Sequence, residues 1–156
     1  MRDAETIHRR LLRFELWALE TLARSVRDGE EELPLRSMKI LGHLVGTHWL
    51  WLSRLGAPAR NMEVWPELSA AQCVDEVADL EKAWSSFFEE PQRLDGRTEY
   101  RNSRGEEWVS ATSDVLLHIA IHGSHHRGQI IATMRQMGRT PPYLDFIEAT
   151  RRGWVE

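Results

Sequence analysis

The stretch HIAIHGSHHRGQI, residues 118–130, places four of the chain's seven histidines within nine residues. An α-helix advances about 100° per residue, so His122 and His126 stand about 40° apart around the axis and one turn apart along it. Two imidazoles at that spacing can reach one divalent ion. His118 continues the same stripe by a turn, and His125 lies about 60° from His122 on the other side. The plain alternative is a polar patch in a helical interior. Buried imidazoles then need other partners, because an unpaired buried polar group costs about 1–3 kcal/mol.

Two helix-borne histidines do not complete a site. Zinc, nickel and iron sites usually take three protein ligands and keep positions open for water or substrate. The segment LRSMKILGHLVGTHWLWLSRLG offers His43 and His48, five residues apart. They therefore stand about 140° apart around a helix and do not aim at one inward spot. His43 falls within the apolar stripe of Ile40, Leu44 and Leu50 or Trp51, and is the preferred third ligand. His48 opens the aromatic cluster HWLW. Gly42 and Gly46 leave room beside His43 for the close approach of another helix.

Other chemistry-bearing residues read more plainly. Trp49, Trp51 and Trp65 are core or pocket wall first and a ligand platform second. Cys73 is a small core residue rather than a nucleophile. Glu106 and Glu107 are solvated loop charges, Asp75, Glu76 and Asp79 an exposed helix face, and His8 a surface residue. The sequence holds no Gly-rich phosphate loop and no nucleophile elbow.

The elements that must carry these side chains are helical. Residues 4–27 repeat Leu11, Leu12, Leu16, Leu19, Leu22, Ala23 and Val26 at steps of three and four. A second helix opens near Pro34 or Ser37 and stops at Gly56, with Pro58 beyond it. Ser69 caps a third, which Pro91 terminates. Residues 98–100 and 107–109 are short strands or extended arms between turn signals. Ser113 caps a fourth helix running to Gly138, and a short C-terminal helix follows from about Tyr143. Four long amphipathic segments without a convincing sheet indicate an all-α protein, a four-helix bundle with long inter-helix connections, spanning 1–156 as one domain. The connections after the second and third helices are long enough that up-down-up-down order is not assured.

With 156 residues, 42% hydrophobic and 28% charged, the chain can bury a real core. A net charge of −4 gives no basic footprint for nucleic acid. A single cysteine excludes an internal disulfide and fits the cytoplasm. The charged N-terminus lacks the apolar core of a signal peptide, and no window approaches the roughly 18 apolar residues of a membrane span.

The segment LLHIAIHGSHHRGQIIATMRQMGRTPPYLDFI resembles the C-terminal signature of the DinB/YfiT-like metalloenzymes. LGHLVGTHWLWLSRLGAP resembles their second signature, a histidine followed eight residues later by tryptophan, here His43 and Trp51. RFELWALETL and YRNSRGEEW resemble the helix-one and connector motifs, so the likeness covers nearly the whole chain. It implies a four-helix bundle, often a homodimer, with a divalent metal (zinc, nickel or iron) held by His43, His122 and His126. Relatives act as thiol-dependent transferases or isomerases with low-molecular-weight thiols. It implies no DNA polymerase. Three positions depart from the pattern: His48 stands where an acidic residue is usual, His125 where tyrosine is frequent, and Ile121 where the motif has asparagine.

The expectation is therefore a metal-dependent transferase acting on a small-molecule electrophile, in which the metal lowers a thiol's pKa. His48, His118 and His125 are candidates for carrying a proton or orienting the ligands. The same Lewis-acid logic applied to water gives a metal-dependent hydrolase. A non-catalytic metal-binding or stress-response module is the alternative of another class.

Overall fold

The structure is a computed structural model describing residues 4–155, and it is mostly helical. Four long helices, α1 (Ala4–Arg27), α2 (Leu35–Arg54), α3 (Ala70–Phe87) and α4 (Thr112–Gln136), surround one apolar core. A 3-10 turn (Pro91–Asp95) and an antiparallel hairpin, β1 (Arg97–Arg101) with β2 (Glu107–Ala111), connect α3 to α4. A short α5 (Phe146–Arg151) closes the chain. No helix among the described residues is long and apolar enough to cross a membrane.

The boundaries follow local chemistry. Pro34 precedes the first turn of α2, and its carbonyl accepts from Ser37 N–H at 2.8 Å. Gly56, at φ +68°, ends that helix in a left-handed conformation that costs glycine nothing. Ser69 and Gln72 form a reciprocal capping box at the start of α3, with bonds of 3.2 and 2.8 Å.

Two expected boundaries are wrong. Ser113 does not cap α4. The β2 strand runs straight into the helix, so the N-cap position falls to Ala111, which has no side-chain acceptor, while Thr112 N–H is taken by the Gly96 carbonyl at 3.0 Å. The C-terminal helix begins at Phe146 rather than Tyr143, once the chain has cleared Pro141 and Pro142. His8 is also not a surface residue. It is buried, because its position extends the stripe of Leu12 and Leu19 by one turn.

The helices do not pack in chain order. α1 rests chiefly on α3 and α4, and α2 rests chiefly on the same two. Leu12, Leu19, Leu22, Leu41, Leu44, Leu52, Leu80, Leu116, Ile130 and Met134 fill the centre. The flank of α1 carrying Phe14 and Ala18 is covered by Ala149 and Val155 of the C-terminal segment.

The gap left by Gly42 and Gly46 is filled, but not by a helix. The extended connector between α2 and α3 lies across it. A Cβ on Gly42 would stand 2.5 Å from the Pro66 carbonyl oxygen, and one on Gly46 2.5 Å from that of Glu63 and 2.8 Å from that of Val64. This close approach presses residues 63–66 onto the face of α2 that carries His43. We expect Gly46→Ala to lower stability by about 1–3 kcal/mol, since rigid backbone must move. Gly128→Ala, with open space around it, should instead gain up to about 1 kcal/mol from helix propensity. Urea unfolding of both variants checks the opposite signs.

Candidate metal centre

α4 presents His122 and His126 one turn apart, and α2 presents His43 to them. Their rings form a triangle with centroid separations of 5.0, 5.0 and 4.5 Å. One nitrogen from each lies within 4.8 Å of the others. His43 Nε2 and His122 Nε2 are 3.2 Å apart. This group could hold a metal ion.

The protons on the far sides of two rings are already committed. His43 Nδ1 donates to the Val64 carbonyl at 2.8 Å, and His126 Nδ1 donates to Gln129 Oε1 at 2.6 Å. A neutral imidazole so anchored leaves Nε2 as a bare lone pair, which is how ligating histidines are usually oriented. Burial lowers the His43 pKa, with the Val64 bond opposing and His126 adding to the drop. Burial, then repulsion from His126, His43 and His118, brings His122 down to about 4. Burial thus favours the neutral form of His43 and His122. Three imidazoles, two of them with an anchored second nitrogen, are a fitting donor set for a borderline divalent ion.

The connector contributes a wall. Trp65 stacks on His43 at 3.7 Å and 8° between planes, while about half of its own surface (53%) faces solvent. A cavity of about 560 Å³ opens at His122 and is walled by His118, Trp51, Tyr100 and Arg54. A second, of about 360 Å³, opens at His126 beside Trp65 and Gln129. The group is therefore reachable from two sides.

The remaining candidates separate clearly. His118 is exposed and makes ring contacts with His122 at 5.5 Å and with Trp51 at 5.6 Å. His125 is exposed and makes a ring contact with His126 at 5.0 Å. Ile121 is 68% exposed, so the missing asparagine leaves no gap among the three rings. Cys73 is fully buried and its thiol is pushed up to about 12, which fits a core residue. Glu76 departs from the exposed face expected of it: it is partly buried, accepts from Trp49 Nε1 at 2.9 Å and pairs with Arg60.

His48 points away from the group. Its Nδ1 accepts from Trp84 Nε1 at 3.0 Å, and its Nε2 lies 3.8 Å from Glu15 Oε1. Glu15 is fully buried and pairs through Oε2 with buried Arg127. Burial pushes the Glu15 carboxyl up, but Arg127 and His48 outweigh it and hold it below its ordinary value of 4.5. Sequence reasoning passed over Glu15 and Arg127. The signal was present, since Glu15 interrupts the buried stripe of Leu12, Leu19 and Leu22.

These features define a mostly helical protein with a three-histidine group that could bind a metal. A model of the DinB family matches residues 18–153, and the chain belongs to that family. It is similar to Protein DinB of Bacillus subtilis (strain 168), 20% identical over 154 residues covering 88% of this chain and 90% of the relative. No solved structure gives a significant match.

The buried ion pair yields a test. Glu15→Ala and Arg127→Ala should each cost about 3–5 kcal/mol, because each strands a buried charge, whereas Glu15→Leu with Arg127→Met should recover most of that loss. Because the folded-state carboxyl titrates below 4.5, its contribution is full above that pH and is lost as pH falls through the folded value. The wild-type urea midpoint should therefore fall in acid more steeply than that of the double variant.

Proposed function

We propose that this chain is a divalent-metal-dependent enzyme built on a four-helix bundle, with His43, His122 and His126 as the ligands and S-transfer from a small thiol as its reaction class. The observation that carries this reading is the three-histidine group beside an open cavity. Structural zinc sites are closed by four protein ligands, whereas catalytic ones keep a position free. Among the described residues the group has three such side chains and no fourth. Membership of the DinB family supports the choice.

A bound divalent ion would supply Lewis acidity that lowers the pKa of a coordinated thiol, giving thiolate at neutral pH. The chain's own residues do the rest. Val64 and Gln129 hold two of the imidazoles in a ligating orientation. Trp65 covers the face of His43 and keeps water from it. To His118, in ring contact with both His122 and Trp51, we assign the proton that a thiol gives up. The cavity at His122 receives the electrophile.

Protein purified without a tag, chelator or nickel resin should carry close to one divalent ion per chain by plasma mass spectrometry. His43→Ala and His126→Ala should fall to under about a tenth of that, while His125→Ala, exposed and off the triangle, should keep it. Conjugation of 1-chloro-2,4-dinitrobenzene, screened across small thiols, should track metal content. Little metal in the wild type after loading with zinc, nickel and iron would defeat the reading. Stoichiometric metal with no thiol turnover would leave a non-catalytic metal-binding module.

A further inference from the structure

Arg9, Arg24, Arg27, Arg60, Arg93 and Arg127 all form ion pairs. Arg54 is different. It sits on the wall of the cavity that opens at His122, partly buried, its guanidinium carbon 4.6 Å from the Trp51 ring and 4.7 Å from the Tyr100 ring. One of its donors, Nη2, is used by the Arg101 carbonyl at 2.7 Å. Among the described residues no carboxylate lies within ion-pair distance of it. Asp114 lines the same cavity but makes no pair with it. Burial lowers the Arg54 pKa, opposed only by the Tyr100 phenol, with no acidic group contributing.

A guanidinium has five donors in a planar fork that matches a carboxylate. The guanidinium lies against two rings set at 74° to each other, which restrict where it can sit, and of its donors one, Nη2, is engaged within the protein. We propose that Arg54 is the anion-recognition residue of this cavity, and that the cavity takes a small molecule carrying a carboxylate on an apolar or aromatic body, which lies along Trp51 toward His118 and His122. Contacts of 4.6, 5.6 and 5.5 Å lead in turn from Arg54 to Trp51, His118 and His122. A ligand anchored at Arg54 thus extends toward the histidine group. One guanidinium, with Asp114 on the opposite count, favours a monoanion over a dianion such as a phosphate monoester. Recognition of the anion does not depend on the metal; its role in orienting a substrate rests on the metalloenzyme reading.

The test uses the whole protein, as purified and zinc-loaded, with 4-phenylbutyrate, its neutral amide and phenyl phosphate as probes in calorimetric titrations. The wild type should bind the carboxylate about ten- to a hundredfold more tightly than the amide, and phenyl phosphate no more tightly than the carboxylate. Arg54→Gln should remove that preference while leaving the amide's affinity unchanged, which also shows that the cavity is intact. Arg54→Lys should retain part of it. Equal binding of acid and amide by the wild type, or a preference that survives Arg54→Gln, would overturn the proposal, and tighter phosphate binding would overturn the carboxylate assignment. His43→Ala separates the two readings. An Arg54-dependent preference that persists without metal supports the anion site even if the metal reading fails. Metal-dependent turnover with no dependence on Arg54 upholds the metal reading and defeats this one.

Discussion

The arrangement of the helices depends on a carboxylate buried where all four meet. Glu15 of α1 pairs with Arg127 of α4, faces His48 of α2, and through it reaches Trp84 of α3. Each of these residues is at most 3% exposed. Burying an ion pair is costly, and the attraction offsets the cost only when the remaining polar atoms find partners. Here the price is met by placement rather than by net stability: the pair fixes which way α4 faces. Gly123 lies one turn before Arg127, and a Cβ there would collide with the Glu15 carboxylate. The stripe of Leu116, Ile119, Ile130 and Met134 is therefore interrupted by a glycine and an arginine, both answers to Glu15.

The histidine group follows from that rotation. With Arg127 turned inward, His126 and His122 are carried to the edge of the core, half in and half out, where they meet His43. The edge position has two consequences. Desolvation lowers the pKa of His43 and of His122, which favours the neutral rings whose lone pairs can ligate. Cavities on both sides leave the group open to small molecules. A site deeper in the core would have the first property without the second.

Much of this was legible in the sequence, and the reasons differ by element. The i, i+4 spacing of His122 and His126 needs only helical geometry. The choice of His43 over His48 follows from helix phase, and the structure places His48 in the buried network instead. Gly56, Pro34 and Ser69 marked helix ends because they act locally. The connector that anchors and covers His43 has no periodicity, so only the gap at Gly42 and Gly46 announced it, and a helix was the natural but mistaken filler. Glu15 escaped notice because a charged residue in a leucine stripe can be read as the edge of the polar face. Its partner is 112 residues away, a distance no local pattern spans. The start of α4 was misplaced for a related reason, since its first N–H is satisfied by Gly96 across the hairpin.

The central claim is that three imidazoles from two helices share one ion. X-ray absorption at the zinc edge of zinc-loaded protein, beside His43→Ala, tests it most directly. The account predicts scattering from three imidazoles and at least one lighter ligand that is not histidine, falling to two imidazoles in the variant. A spectrum without imidazole scattering, or one that His43→Ala leaves unchanged, would contradict it.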